Sequence, residues 1–387
     1  KGSTISFLTE ILKKNGYNVG SYTSPHLFKV TERIRINGNP ISEDEMSKVL
    51  LKVKKEADKI GDMEHFEYPT YFEVLTAAAF QYLSEKALDF CLIEVGIEGK
   101  FDATNVFKPL LTVITNIEKE HESFLGTNLN SIAEEAVQII KDGTSVVSCE
   151  KKQKIIEILK KECKKKAAKL YLPGKDFNYQ EKDFNREEQR FDYSGLNFNF
   201  KNLTLSLLGK HQIVNASCAI ASAEVLKEKG YEISKKLIEN GLKEAKWRGR
   251  FEVISKNPLI IADGAHNPKC IQILSEALKR HYPGKKVLLI MGVLKDKDLE
   301  EMFENLPFPI RLVIATQPEN ERALDYKELY AKLSKYFNKV IEKKKISEAI
   351  KEAILRVEDD MVILITGSLM TVAEALSFFK LTENREQ

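Results

Sequence analysis

Apolar positions in the first half of the chain fall alternately at helical and at strand spacing. Residues 3–15 place Ile5, Leu8, Ile11 and Leu12 on one helical face and stop at Gly16, and a short strand follows at 19–22. Residues 42–60 predict an amphipathic helix opened by Ser42 with Glu45 three positions on, the spacing at which side chain and backbone cap one another. Residues 70–86, rich in Ala and aromatics, predict a largely buried helix. The runs 89–95 and 110–115 are continuously apolar, as strands covered on both faces of a parallel sheet are.

Beyond Tyr171 the period shortens. Leu196-Asn197-Phe198-Asn199-Phe200 and Leu203-Thr204-Leu205-Ser206-Leu207 alternate strictly, which predicts half-exposed antiparallel sheet at the edge of the first domain. Helices are expected at 212–229 and 234–243. From Phe251 a regular βα alternation resumes, with strands near 259–262, 287–291, 310–315, 340–341 and 361–365. The fold class is therefore α/β: a first domain with a mostly parallel sheet, then a smaller doubly wound, Rossmann-like domain. A chain of 387 residues exceeds one comfortable core. The expected division is 1–246 and 251–387, with 247–250 as the hinge.

Composition narrows the class. Hydrophobic content of 43% and charged content of 30% describe a soluble globular chain, with no apolar run of membrane-spanning length and nothing at the start of the given sequence that looks like a signal peptide. A net charge of +3 with Lys and Glu interspersed gives no footprint for nucleic acid, and the basic run 151–169 is spaced like a solvated helix face. Cys91, Cys149, Cys163, Cys218 and Cys270 lack metal-ligand spacing and read as reduced packing residues of a cytoplasmic protein. The first residue is not Met, and the chain opens inside an apparent motif, so a fragment of a longer polypeptide is expected.

Several polar clusters could carry chemistry. Ile261-Ala262-Asp263-Gly264-Ala265-His266-Asn267-Pro268 ends an apolar strand in a carboxylate, an imidazole and an amide, with a Pro placed to open a helix. Lys1-Gly2-Ser3-Thr4 before a helix suits a polyphosphate and its Mg²⁺ through backbone N–H groups, an ammonium and a hydroxyl. Glu94 ends the strand at 90–95, where a hard oxygen ligand suits Mg²⁺, and His121 follows another such strand, available to a second ion. The two sit together only if their strands are neighbours, which the alternation favours. Ser24-Pro25-His26-Leu27 and Phe101-Asp102-Ala103-Thr104-Asn105 are polar turns. In 209–216, amide side chains at a helix start could read a purine edge. Each cluster also has a bland reading, as a loop, a cap or a chance chain end.

Their order along the chain resembles the folylpolyglutamate synthase / dihydrofolate synthase family of the Mur ligase superfamily. The likeness runs nearly end to end, through Lys1-Gly2-Ser3, Tyr22-Thr23-Ser24-Pro25-His26-Leu27, Glu32-Arg33-Ile34-Arg35-Ile36-Asn37-Gly38 and Tyr71-Phe72-Glu73. It continues in Glu94-Val95-Gly96, Asp102-Ala103-Thr104-Asn105, Gly249-Arg250-Phe251-Glu252, 263–268 and Asp296-Lys297-Asp298. The resemblance implies a P-loop-type central domain and an ATP-dependent amide ligase that adds L-glutamate to a reduced folate or dihydropteroate through an acyl phosphate. It implies Lys1, Gly2, Ser3 and Thr4 as the phosphate loop, Ser24, Glu94 and His121 as magnesium ligands, and Asn215, Arg250, Asp263 and His266 as nucleotide residues. Lys1, Ser3, Glu94, His121 and Arg250 become the catalytic set, with Thr70, Tyr71, Phe72, Glu73, Phe101, Asp102 and Ala103 around the pteroate. ATP, Mg²⁺ and, as a further option, a monovalent cation are the implied cofactors, in a monomer with no membrane or nucleic-acid partner.

Three departures from the family pattern stand out. The Gly-Thr-Asn-Gly ahead of the loop lysine is not in the sequence. Ala136 takes the place of a carbamylated lysine that helps hold a second magnesium, so either that ion binds weakly or a neighbour such as Glu135 or Glu120 substitutes. Glu120-His121 replaces an Asp-His pair, and Gly99-Lys100-Phe101 a Gly-Arg-Leu. Two alternatives therefore stay open: a catalytically weakened nucleotide- or folate-binding homologue, and a Mur-type ligase acting on another carboxylate.

Overall fold

Ten short strands and the helices between them make up the first part of the chain. They are β1 (Val19–Tyr22), β2 (Ile34–Ile36), β3 (Asn39–Pro40), β4 (Phe90–Ile93), β5 (Leu111–Ile114), β6 (Ser145–Ser148), β7 (Lys169–Tyr171), β8 (Asn178–Phe184), β9 (Gln189–Ser194) and β10 (Asn199–Leu205). This computed structural model describes residues 1–97, 99–118, 128–306 and 309–383. One sheet has the order β3-β2-β1-β4, with β1 parallel to β4 and antiparallel to β2. A second, β5-β6-β7, is parallel throughout. The third is the meander β10-β9-β8, whose tight turns are closed by Asn185 N donating to Glu188 O (2.8 Å) and Gly195 N to Phe198 O (2.9 Å).

Local signals explain the helices. Ser42 caps Glu43–Gly61 reciprocally with Glu45, as its spacing predicts, and Thr70 does the same for Tyr71–Ser84 with Glu73. These two helices bury Met46, Val49, Ala78, Ala79 and Leu83 against Tyr22 and Ile34. A separate cluster of Ile114, Val146, Ile132, Ala136, Ile155 and Leu159 packs the helices Leu129–Ala136 and Gln153–Lys165 onto the second sheet.

One expectation is corrected here. Strands β4 and β5 are not hydrogen-bonded neighbours among the described residues: β4 pairs with β1 and β5 with β6. Apolar runs mark both as buried strands, but periodicity carries no information on which strand lies beside which.

The later part of the chain forms one six-stranded sheet from β11 (Glu252–Lys256), β12 (Leu259–Ala262), β13 (Lys286–Met291), β14 (Ile310–Ala315), β15 (Val340–Glu342) and β16 (Met361–Thr366). Its order is β11-β12-β16-β13-β14-β15, parallel except for β11 against β12. Ile261, Leu289, Met291, Val313 and Leu364 meet Ile271, Leu274 and Leu278 of the helix Pro268–His281 in a continuous core.

By contacts the chain divides into two units. The first is Lys1–Asp183, Arg190–Ser206 and Gln212–Lys246; the second is Phe184–Gln189, Leu207–His211 and Trp247–Gln387. The first is thus not the uninterrupted 1–246 expected. Leu208 enters the core of the second unit, Gln189 Nε2 donates to Leu207 O (2.7 Å) and Gly209 O (2.9 Å), and His281 Nδ1 lies 2.7 Å from Asn185 O. Alternation shows that these residues are half-buried, not which core takes them. Among the described residues no helix is long and apolar enough to cross a membrane.

Candidate active site

Within the first unit, chemistry converges on the carboxyl ends of β1 and β4. The ladder pairs Tyr22 with Ile93, so the chain leaves these adjacent parallel strands side by side, the place where open α/β sheets bind ligands. Ser24 N donates to Glu94 Oε2 (3.0 Å), and the Ser24–Pro25 peptide is cis. Lys1 stands at the start of the helix Gly2–Lys14, with its Nζ donating to Val95 O (3.1 Å) and Gly96 O (3.0 Å). The loop ammonium and the strand-end carboxylate are thereby brought to one spot.

Glu94 is only 8% exposed, and no basic side chain among the described residues forms an ion pair with it. A buried carboxylate without a cation is costly, and its oxygens suit a hard divalent ion. Glu94 therefore fits the expected magnesium, and Ser24 meets this carboxylate through its backbone N–H. His121 and Glu120 lie outside the described residues, among which no cluster of three His, Cys, Asp or Glu could hold a metal.

The segment Lys1–Thr4, the expected phosphate loop, is held from the helix Lys210–Glu228. Gln212 Nε2 donates to Ser3 Oγ (3.3 Å), Asn215 Nδ2 to Gln212 Oε1 (3.1 Å), and Thr4 Oγ1 to Asn215 Oδ1 (3.5 Å). The amide of Gln212 thus holds the Ser3 hydroxyl, and its neighbour Asn215 accepts from that of Thr4. The sequence shows that 212 and 215 lie one turn apart on one helix face, but not which segment they hold.

The expected pteroate residues fall into two groups. Thr70 and Glu73 spend their polar atoms on the helix cap: Glu73 N donates to Thr70 Oγ1 (3.3 Å) and Thr70 N to Glu73 Oε2 (2.7 Å). Phe72 stacks on Tyr22 (centroids 6.2 Å apart), and a Cβ on Gly96 would lie 2.6 Å from Phe72 Cζ and 3.0 Å from Asp102 Oδ2. Only a glycine lets these two side chains close over the end of β4. Asp102 accepts from Ile97 N (3.0 Å) and Thr104 N (3.0 Å), with Ala103 between them in the turn. Phe101 is 88% exposed beneath the Lys100 ammonium, and Tyr71 is also exposed.

Ala136, at the end of its helix, is buried among Ile132, Val137 and Ile140. Its methyl group ligates nothing. Glu135, a candidate to replace the missing lysine, instead accepts from Lys100 N (2.9 Å).

The second unit contributes its own cluster at the carboxyl end of β12. Asp263 accepts from Phe251 N and Ala265 N, both at 2.8 Å. Desolvation raises its carboxyl pKa above the ordinary value, and the Arg250 guanidinium opposes that rise. His266 Nδ1 lies 2.8 Å from Gly264 O, and a Cβ on Gly264 would lie 2.6 Å from an Arg250 guanidinium nitrogen. Asn267 caps the helix Pro268–His281 by accepting from Cys270 N (2.8 Å). Arg250, Asp263 and His266 are thus one group.

The two units carry the two domains of a Mur-type ligase. Residues 41–223 match the Mur ligase middle domain, and residues 249–369 the Mur ligase glutamate ligase domain. The dihydrofolate synthase/folylpolyglutamate synthase of Bacillus subtilis is 33% identical over 97% of this chain and 87% of its own length. The chain belongs to the dihydrofolate synthase/folylpolyglutamate synthase family. The folylpolyglutamate synthase of Thermotoga maritima has a similar structure, with a TM-score of 0.87 at 35% identity, covering 99% of this chain and 87% of that one. The bifunctional folylpolyglutamate synthase/dihydrofolate synthase of Yersinia pestis, complexed with AMPPNP and Mn ion, gives 0.83 at 28% identity over 97% and 85%.

Proposed function

We infer that this chain is an ATP-dependent ligase that joins L-glutamate to a reduced folate or dihydropteroate. The observation that carries the reading is the meeting of Ser24, Glu94 and Lys1 at the ends of two adjacent parallel strands. The Bacillus subtilis relative, named for both activities, and the Yersinia pestis structure, complexed with a nucleotide and Mn ion, support the substrates and the divalent cation.

The substrate carboxylate attacks the γ-phosphate of ATP, releasing ADP and forming an acyl phosphate. The amino group of glutamate then attacks the acyl carbon, and phosphate leaves. Two anions must meet, so catalysis is mainly electrostatic. The Lys1 ammonium and the N–H groups opening the helix Gly2–Lys14 bind the phosphates, and Gln212 and Asn215 hold the loop that carries them. Glu94 and Ser24 would hold Mg²⁺, with His121 as a further ligand; the ion when bound neutralises phosphate charge. Arg250, Asp263 and His266 are assigned to the nucleotide. A cytoplasmic location, supported by five free cysteines, belongs to the same reading, as does a monomer acting without membrane or nucleic acid.

The test is ADP release by the full-length protein. It is expected to require both glutamate and a reduced folate or dihydropteroate, and to fall about a hundredfold or more in Glu94→Gln. ATP turnover indifferent to glutamate, or an unaffected Glu94→Gln, sinks the reading. Ala136, closed into the core, favours a second reading: a homologue that binds nucleotide or folate with little turnover. Tight ATP binding without ADP release in the same assay would select it.

A further inference from the structure

Arg33 has no place in the chemistry derived so far. It ends the 3-10 turn Val30–Arg33 ahead of β2 and is only 8% exposed. Its Nε donates to His26 Nδ1 (3.0 Å), its guanidinium stands 5.5 Å from the centroid of the Tyr71 ring, and it lies beside the Tyr22 hydroxyl. His26 accepts through a ring nitrogen lone pair, so none of these partners carries negative charge. Arg35, two residues on, shows the ordinary arrangement, with Glu32 at 3.6 Å and bonds to Glu32 O and Gly38 O. No carboxylate among the described residues comes within ion-pair distance of Arg33.

A guanidinium does not shed its proton in a protein. Buried without a counter-ion, it carries a desolvation cost that an anion would relieve. Its Nε bond to His26 leaves further N–H groups, the fork that matches a carboxylate. The surroundings specify the ligand further. The Tyr71 ring under Arg33 precedes Phe72, which meets Asp102 over Gly96. His26 is two residues from Ser24, whose N–H is bound to Glu94. Arg33 thus sits one loop step from the phosphate chemistry, against aromatic faces suited to an aminobenzoyl ring.

We propose that Arg33 binds the α-carboxylate of a terminal glutamate already attached to the substrate, and so presents the γ-carboxylate for reaction. This rests on the folate–glutamate ligase reading above. The reacting carboxylate loses its charge as the acyl phosphate forms. An arginine holding that group would stabilise the ground state more than the transition state. The α-carboxylate keeps its charge throughout, and a fixed cation can hold it at every stage. Arg33 is therefore a specificity residue for substrates that carry glutamate.

The test compares two ligands in the presence of a non-hydrolysable ATP analogue: a reduced folate monoglutamate, and the same compound with its α-carboxylate converted to a carboxamide. Dissociation constants are measured by calorimetry. The wild-type protein is expected to prefer the carboxylate by about ten- to a hundredfold, the range of a charge-assisted hydrogen bond. Arg33→Gln is expected to reduce the preference to within about twofold, and Arg33→Lys to keep part of it. Affinity for the ATP analogue on the same samples reports folding. Where Arg33→Gln loses that affinity, the wild-type and Arg33→Lys measurements decide. Equal wild-type affinity for the two ligands, or a preference that survives in Arg33→Gln, overturns the assignment and leaves the ligase reading standing. No binding of either pterin by the wild type overturns both.

Discussion

His211 opens the helix Lys210–Glu228 with its Nδ1 buried and without a hydrogen-bond partner among the described residues. Desolvation, with the charge of Arg250, lowers its pKa to about 4. The ring stays neutral in the folded chain, whereas the unfolded chain takes up a proton near the ordinary value of about 6.5. Stability from this group is therefore complete above that value and declines as pH falls toward about 4, by up to roughly 3 kcal/mol. Denaturant midpoints at mildly acidic and neutral pH are expected to separate in the wild type and to converge in His211→Gln. A midpoint difference unchanged by the substitution would refute the assignment. Two buried glutamates show how partners reveal a role. Glu224 accepts from Tyr193 Oη (2.6 Å), Asn197 N and Phe198 N (both 2.7 Å), a saturated structural carboxylate. Glu94 accepts from one backbone N–H, Ser24 N, and has no cationic partner among the described residues, which leaves it available for chemistry.

Among elements, the helix Tyr71–Ser84 shows a signal that serves structure where the family resemblance implies binding. Thr70-Tyr71-Phe72-Glu73 has the capping-box spacing, and Thr70 and Glu73 use it fully. Thr70→Ala is expected to cost about 1 kcal/mol in a thermal melt. It should leave KM for the folate unchanged, because the hydroxyl is committed to the helix. A raised KM with an unaltered melt would return Thr70 to the substrate. The two aromatic residues between the caps behave differently: Phe72 packs on Tyr22, and Tyr71 carries Arg33 on its face. The box fixes where the helix begins and therefore how these rings are aimed.

In the molecule as a whole, the two units have separate hydrophobic cores. Leu289 lies in β13, between β16 and β14, and is fully buried. Leu289→Ala is expected to cost about 2–5 kcal/mol through the cavity it leaves. Calorimetry should show the loss in the unfolding component of the second unit, with the other component in place. A uniform shift of a single transition would mean that the chain unfolds as one body. The organisation also explains the segments at 184–189 and 207–211. They belong by sequence to the first part of the chain, yet Leu208 supplies apolar surface to the core built by β11–β16.

The sequence by itself determined where helices and strands form, because hydrophobic period, the Ser42 cap and the Pro268 helix start act within a few residues. It also showed which residue types end strands, and so the carboxylates Glu94 and Asp263. Tertiary structure alone decided which strands are neighbours, separating β4 from β5 and setting β4 beside β1. It alone gave Gln212 to Ser3, placed Ala136 in a core and left Arg33 buried without an anion. The physical reason is range. Caps and periodicity are local, whereas a buried charge acquires meaning only from segments that folding brings against it.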